Sequence, residues 1–223
     1  MSDSLSPSRP DRPVFDVVPV IENQRIGRFW IGLFAVAWLV TFLDGFDLQI
    51  ISFAGRYLQK DFALSNTQLG GTLGTVGVVG TLIGGIAMAW FGDRWGRKPS
   101  IAVSVAGFGV FMVLFALAAN YAELMLLRLL TGLFIGGALP LVWALVSEFA
   151  PARLRSTSIV IVMVGYSLGS ATGGPVSNAL IPEHGWESVF LAGGGVASLV
   201  VLALVLMFLP ESIKFLAQRD VAA

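Results

Sequence analysis

Six runs of residues, each long and apolar enough to cross a lipid bilayer, occupy most of this chain and leave it few folds to choose from. Crossing a hydrocarbon core takes about 20 apolar residues in an α-helix. Such runs lie at roughly 29–52, 67–91, 100–119, 123–147, 157–180 and 187–209. Short polar segments punctuate them: KDFALSN (60–66), GDRWGRKP (92–99), NYAE (120–123), EFAPARLRS (148–156) and IPEHGWE (181–187). Pro99, Pro151 and Pro210 fall at helix edges, where a missing N–H is tolerated. The expected fold is an all-α membrane protein with six transmembrane helices.

Composition agrees. Only 13% of the 223 residues are charged, where a soluble domain carries about 25%, and the mean hydropathy is +0.81. The 14 basic and 14 acidic residues balance, so there is no basic field for nucleic acid. The absence of cysteine excludes disulfides and thiolate chemistry. A single histidine, His184, argues against a histidine metal site or a Ser-His-Asp triad. No cluster of nucleophile and base suggests an enzyme, and neither a metal nor an organic cofactor is expected. Residues 1–25 are polar, contain Pro7, Pro10, Pro13 and Pro19, and are expected to form a disordered tail.

Lys and Arg set the expected orientation. Eleven of them lie in the N-terminal tail, the loops 92–99 and 148–156, and the C-terminal tail, against Arg56 and Lys60 on the other side. The basic side is expected to be cytoplasmic, with both termini inside. Trp30, Trp90 and Trp95 are expected at the inner interface, and Tyr57, Tyr121 and Trp186 at the outer one.

Three charges interrupt the apolar runs. Asp44 and Asp47 share a face of the first span, and Arg128 lies in the fourth at a similar depth from the outer side. A charge near the centre of a spanning helix costs about 2.5–3.5 kcal/mol on insertion scales, so these groups call for pairing or for water. One Asp–Arg pair could simply lock two spans together. One arginine cannot neutralise two carboxylates, however, and the surplus one is a candidate to remain protonated. The expected site is an aqueous cavity holding Asp44, Asp47 and Arg128, with Thr41, Gly132, Trp143 and Tyr166 as candidate wall residues. An arginine, a small residue and an indole on one wall suit a flat anionic ligand.

The second span carries Gly70, Gly74, Gly77, Gly80 and Gly84, and the fifth carries Gly165, Gly169 and Gly173. Small residues at such spacing allow close helix approach. Each of these spans is second in a group of three, the arrangement of two inverted three-helix repeats. In the loop 92–98, Asp93, Arg94, Gly96 and Arg97, together with Glu148 at the end of the fourth span, make a candidate conformational clasp.

GDRWGRK (92–98) resembles the loop signature of the major facilitator superfamily. Arg128-Leu-Leu-Thr-Gly132 resembles its fourth-span motif, with Thr131 where glutamine is usual, and PESIKFL (210–216) resembles the segment after its sixth span. LDGFD (43–47) resembles the aromatic acid:proton symporter family. Ala89 stands where the loop signature normally opens with glycine. The resemblance covers about residues 25–218 and implies the N-terminal half of a twelve-span transporter. Residues 26–210 would form the six-helix domain and 211–223 would begin the central cytoplasmic loop. It further implies import of a small aromatic carboxylate, such as a hydroxybenzoate, with protons across the bacterial inner membrane. The proton gradient would be the driving force, and the partners would be the lipid bilayer and a C-terminal six-helix half. On that pattern Asp44 and Asp47 serve proton coupling or substrate gating, and Arg128 couples to them or anchors the carboxylate. Carriage of another organic acid or a sugar, or a non-transporting role as a half-size sensor or assembly partner, are the alternatives. A transport site at the interface of two repeat domains needs both. This chain alone is therefore expected to show no coupled uptake unless it self-associates; uptake in proteoliposomes by a demonstrated monomer would contradict this.

Overall fold

The computed structural model describes residues 27–213, 215 and 216. The tail expected over 1–25, and Lys214 and Arg219, lie outside the described residues. Within them all regular structure is helical, and six helices are long and apolar enough to cross a membrane. They are α1 (Arg28–Asp61), α2 (Thr67–Trp95), α3 (Arg97–Ala116), α4 (Tyr121–Phe149), α5 (Arg155–His184) and α6 (Glu187–Phe208). Two of them contain a π-helical stretch, Thr67–Gly74 opening α2 and Leu191–Ala197 within α6.

Several boundaries differ from the apolar runs. α1 continues to Asp61, so Arg56 and Lys60 ride on its exposed last turns. Its 34 residues span about 51 Å, longer than the roughly 30 Å hydrocarbon core. α5 passes through Pro175 and Pro182 and stops at Gly185, whose φ of 79° turns the chain. α4 begins at a reciprocal cap: Asn120 accepts from the Glu123 N–H at 3.0 Å, and Glu123 accepts from the Ala119 N–H at 2.7 Å.

Two of the aromatics expected at the interfaces pack against the bundle. Trp30 is 8% exposed and stacks on Phe34, and Trp186 is 4% exposed. Trp186 donates its indole N–H to Asp61 at 2.8 Å and packs among Phe62, Phe115 and Phe190. The pairing of that N–H with a carboxylate ending α1 ties α1 to the α5–α6 turn.

The packing has an internal symmetry. α1 lies along α5, α4 lies along α2, and α3 lies against α6. Exchanging helices 1–3 with 4–6 turns the first pair into the second and returns the third to itself, as two inverted repeats require. Small residues make the two long interfaces. A Cβ on Gly165 or Gly169 would lie within 2.6 Å of the Trp38 or Phe42 carbonyl oxygen of α1. One on Gly80, Gly84, Gly132 or Gly136 would lie within 2.3 Å of a carbonyl oxygen across the α2–α4 interface. Lipid supplies no hydrophobic force between helices, so this close van der Waals packing holds them.

Gly84→Val is expected to lower stability by about 1–3 kcal/mol through overpacking, because its Cβ would sit 1.9 Å from the Leu133 oxygen. Gly70→Ala, where nothing lies within 4 Å, is expected to change little. Thermal unfolding in detergent compares the two.

Candidate functional site

Arg128 of α4 reaches across to α1 and donates from Nη1 to both Asp47 carboxylate oxygens, at 2.7 and 2.9 Å. The side chains are only 7% and 5% exposed. Burial costs each ion its hydration, and the short two-point contact returns much of that loss. Asp44 lies one turn earlier on α1 and is half-buried. It has neither a hydrogen bond nor an ion pair with any described residue.

Asp44, Asp47 and Arg128 line one cavity of about 950 Å³ with Thr41, Trp143 and Tyr166. Helices α1, α2, α4 and α5 all contribute to its wall. Thr41 uses its hydroxyl structurally, lying 2.8 Å from each of the Trp38 and Val162 carbonyl oxygens, which ties α1 to α5. Trp143 contributes an indole whose N–H is buried without a partner among the described residues. Gly132 does not belong to the wall. A Cβ there would lie 2.3 Å from the Gly77 carbonyl oxygen, so it serves the α2–α4 contact. The helical face shared by Arg128 and Gly132 is wide enough to touch both cavity and neighbour, and sequence spacing cannot divide it.

Gly77 touches Arg128 and lines the cavity, where its spacing in the sequence suggests only helix packing. A Cβ at Gly77 would stand 2.7 Å from Arg128 Nε, so the guanidinium lies directly on the α2 backbone. Nε is buried there without a partner among the described residues, Nη1 is committed to Asp47, and Nη2 makes no bond to a described residue. Nη2 is thus the nitrogen left for a ligand. Two acidic groups and one guanidinium with a free edge can bind an anion and exchange a proton beside it.

The clasp at the basic end differs in membership from expectation. Arg97 pairs with Glu148 at 2.8 Å. Asp93 is exposed and makes no ion pair with a described residue, and Arg94 lies over the Trp90 and Trp95 rings at 5.8 and 5.7 Å. The acid that joins instead is Glu211, after α6. It accepts from the Arg97 and Lys98 N–H groups at 2.8 and 3.3 Å, capping the N-terminus of α3. Ser212 then donates to Glu148 at 2.7 Å. Gly96, with φ of 103°, makes room: a Cβ there would lie 2.6 Å from Glu211 Oε2. Asp93 points away because α2 continues helically to Trp95 and rotates it outward. The signal for Glu211 was the acid in PESIKFL, beyond the last span and far from the loop in sequence.

A sequence-family model described as the Major Facilitator Superfamily matches residues 37–218. A gallate transporter of Pseudomonas putida is 39% identical over 213 residues, which is 96% of this chain and 47% of that protein. A 4-hydroxybenzoate transporter of Acinetobacter baylyi is 37% identical over 205 residues, 92% of this chain and 44% of that protein. A niacin transporter of the same species is 34% identical, with 92% and 46% covered. The chain spans about half the length of the curated relatives it matches. Among solved structures, a proton:xylose symporter matches with a TM-score of 0.78 at 23% identity, covering 85% of this chain and 46% of that one. That likeness is one of fold.

Gly77→Ala is expected to push Arg128 off Asp47. Asp47→Asn should then cost about 1 kcal/mol or more less in the Gly77→Ala background than in the unaltered protein. A double-mutant cycle on unfolding free energy in detergent measures that coupling.

Proposed function

The chain belongs to the major facilitator superfamily, and from that premise we propose that it is the N-terminal half of a proton-coupled importer of small aromatic carboxylates. The observation that carries this reading is Asp44, without an ion pair among the described residues, beside a buried Arg128–Asp47 pair in one cavity. Gallate, 4-hydroxybenzoate and niacin, the cargoes in the relatives' names, share one chemistry: a carboxylate on a flat ring. Arg128 Nη2 offers that carboxylate a charge-assisted hydrogen bond, and Trp143 and Tyr166 offer rings to pack on it.

Asp44 pairs with no cation among the described residues, and it takes the coupled proton. Protonation removes the negative charge facing the arriving anion; release on the other side restores it and favours departure of the cargo. Asp47 keeps Arg128 in place throughout. Opening and closing follow alternating access between this bundle and a second six-helix bundle, with the cavity between them. The Arg97–Glu148–Glu211 clasp holds the basic end of this bundle together in one state. No organic cofactor or metal takes part, and the proton gradient drives the cycle. The excess of Lys and Arg supports placing the basic end and both termini in the cytoplasm of a bacterium, with the chain in its inner membrane.

The test is uptake of labelled 4-hydroxybenzoate by vesicles carrying the product of the full gene that encodes this chain. Uptake should follow an imposed proton gradient and vanish with a protonophore. Asp44→Asn should abolish accumulation at least tenfold yet leave exchange of labelled for unlabelled substrate across the membrane. Accumulation that ignores the protonophore would refute the proton-coupled reading, and full accumulation by Asp44→Asn would remove Asp44 from it.

A further inference from the structure

Beyond the cavity wall, α1 and α5 frame a second concavity of about 450 Å³, lined by Gln49, Tyr166, Ser167, Ser170 and Ala171. Gln49 and Tyr166 belong to both spaces, so the groove adjoins the site that holds Arg128. Four of its five lining residues carry a hydroxyl or an amide, and none carries a charge. Their hydrogen-bonding capacity is mostly unused. Ser170 Oγ lies 3.5 Å from Gln49 Oε1, a weak contact. The Gln49 amide nitrogen and the hydroxyls of Tyr166 and Ser167 make no hydrogen bond to a described residue. Polar groups at membrane depth are costly unless they meet water, a neighbour or a ligand.

The geometry of α1 relates this groove to the arginine. Each residue turns the helix by about 100°, so Asp47 and Gln49 leave it on nearly opposite sides, about 3 Å apart along the axis. The face between them belongs to Asp44 and Leu48, both in the cavity wall. A flat acid lying across that face would direct its carboxylate toward Arg128 and its far edge toward Gln49. Gly173 lets Gln49 lie close on α5: a Cβ there would stand 3.1 Å from Gln49 Cβ.

We propose that Gln49, Tyr166, Ser167 and Ser170 form a subsite for ring hydroxyl groups of the aromatic acid whose carboxylate lies at Arg128. The proposal rests on the import reading above and deepens it. A neutral amide offers both a donor and an acceptor, which suits a phenol; neighbouring hydroxyls adapt to one or several ring substituents. Ring hydroxylation, rather than the carboxylate alone, then sets which acids are preferred. A site built to bond a hydroxyl discriminates strongly against the analogue lacking it, because its polar groups are left unpaired.

The test measures uptake of benzoate, 4-hydroxybenzoate and 3,4,5-trihydroxybenzoate by the product of the full gene and by its Gln49→Leu and Ser170→Ala variants. Gln49→Leu should lower kcat/KM for the two hydroxylated acids about tenfold and change that for benzoate less than twofold. Ser170→Ala should act in the same sense, more weakly. Equal changes for all three acids, or no change for any, overturn the subsite while leaving the import reading standing. Equal loss with reduced membrane abundance also overturns it, and identifies the groove as a packing surface for the second bundle. If the unaltered protein takes up none of the three, the import reading and the subsite fall together.

Discussion

An arginine inside a membrane-spanning helix must be neutralised where it stands, and the contact between Arg128 and Asp47 meets that demand. It fixes more than charge. Because Nη1 serves both carboxylate oxygens, α1 and α4 are tied at one depth and in one rotation. The guanidinium can reach that position only because α2 presents a glycine, Gly77, beneath it. Three helices are therefore specified by a single cation. Among the described residues, Arg128 Nη2 and the Asp44 carboxylate are left without a hydrogen bond or ion pair.

The same economy of side-chain volume governs the rest of the bundle. Lipid tails are as apolar as leucine, so apolar residues gain nothing by leaving lipid for a neighbouring helix unless they pack more tightly there. Glycines allow backbones to touch, and they are concentrated on the two pairs that the inverted repeat exchanges, α1 with α5 and α2 with α4. α3 and α6 approach through Gly109 and Gly194, against Ser198 and Met112.

Spanning helices were legible in the sequence because the bilayer imposes a length and a polarity that a run of residues either meets or does not. All six runs became helices, and each intramembrane charge found the cavity. Helix ends were less legible: α1 and α5 continue past their apolar stretches, since a helix does not stop where the lipid does. Side-chain direction was legible only in part. Gly132 shares a face with Arg128 but faces a neighbour, and nothing in the residue type of Trp186 announces that its indole bonds Asp61. Partners far apart in sequence were not legible at all. Nothing local to the 92–98 loop announces that Glu211 caps it, and nothing in the spacing of α2 marks Gly77 apart from the other glycines.

The two charge clusters of the bundle meet on α4. Arg128 and Glu148 are 20 residues apart in that helix, about 30 Å along its axis. α2, which carries Gly77, leads at its far end into the loop from which Arg97 pairs with Glu148. Between those ends α2 and α4 are locked backbone to backbone by Gly80, Gly84, Gly132 and Gly136, so a tilt of one requires a tilt of the other. Glu211 then brings the segment after α6 onto the N-terminus of α3. A rearrangement about Arg128 thus has a rigid pair of helices through which to reach the basic end. The clasp there joins three separate segments, the loop before α3, the end of α4 and the residues after α6, through a few polar contacts rather than through packed backbone.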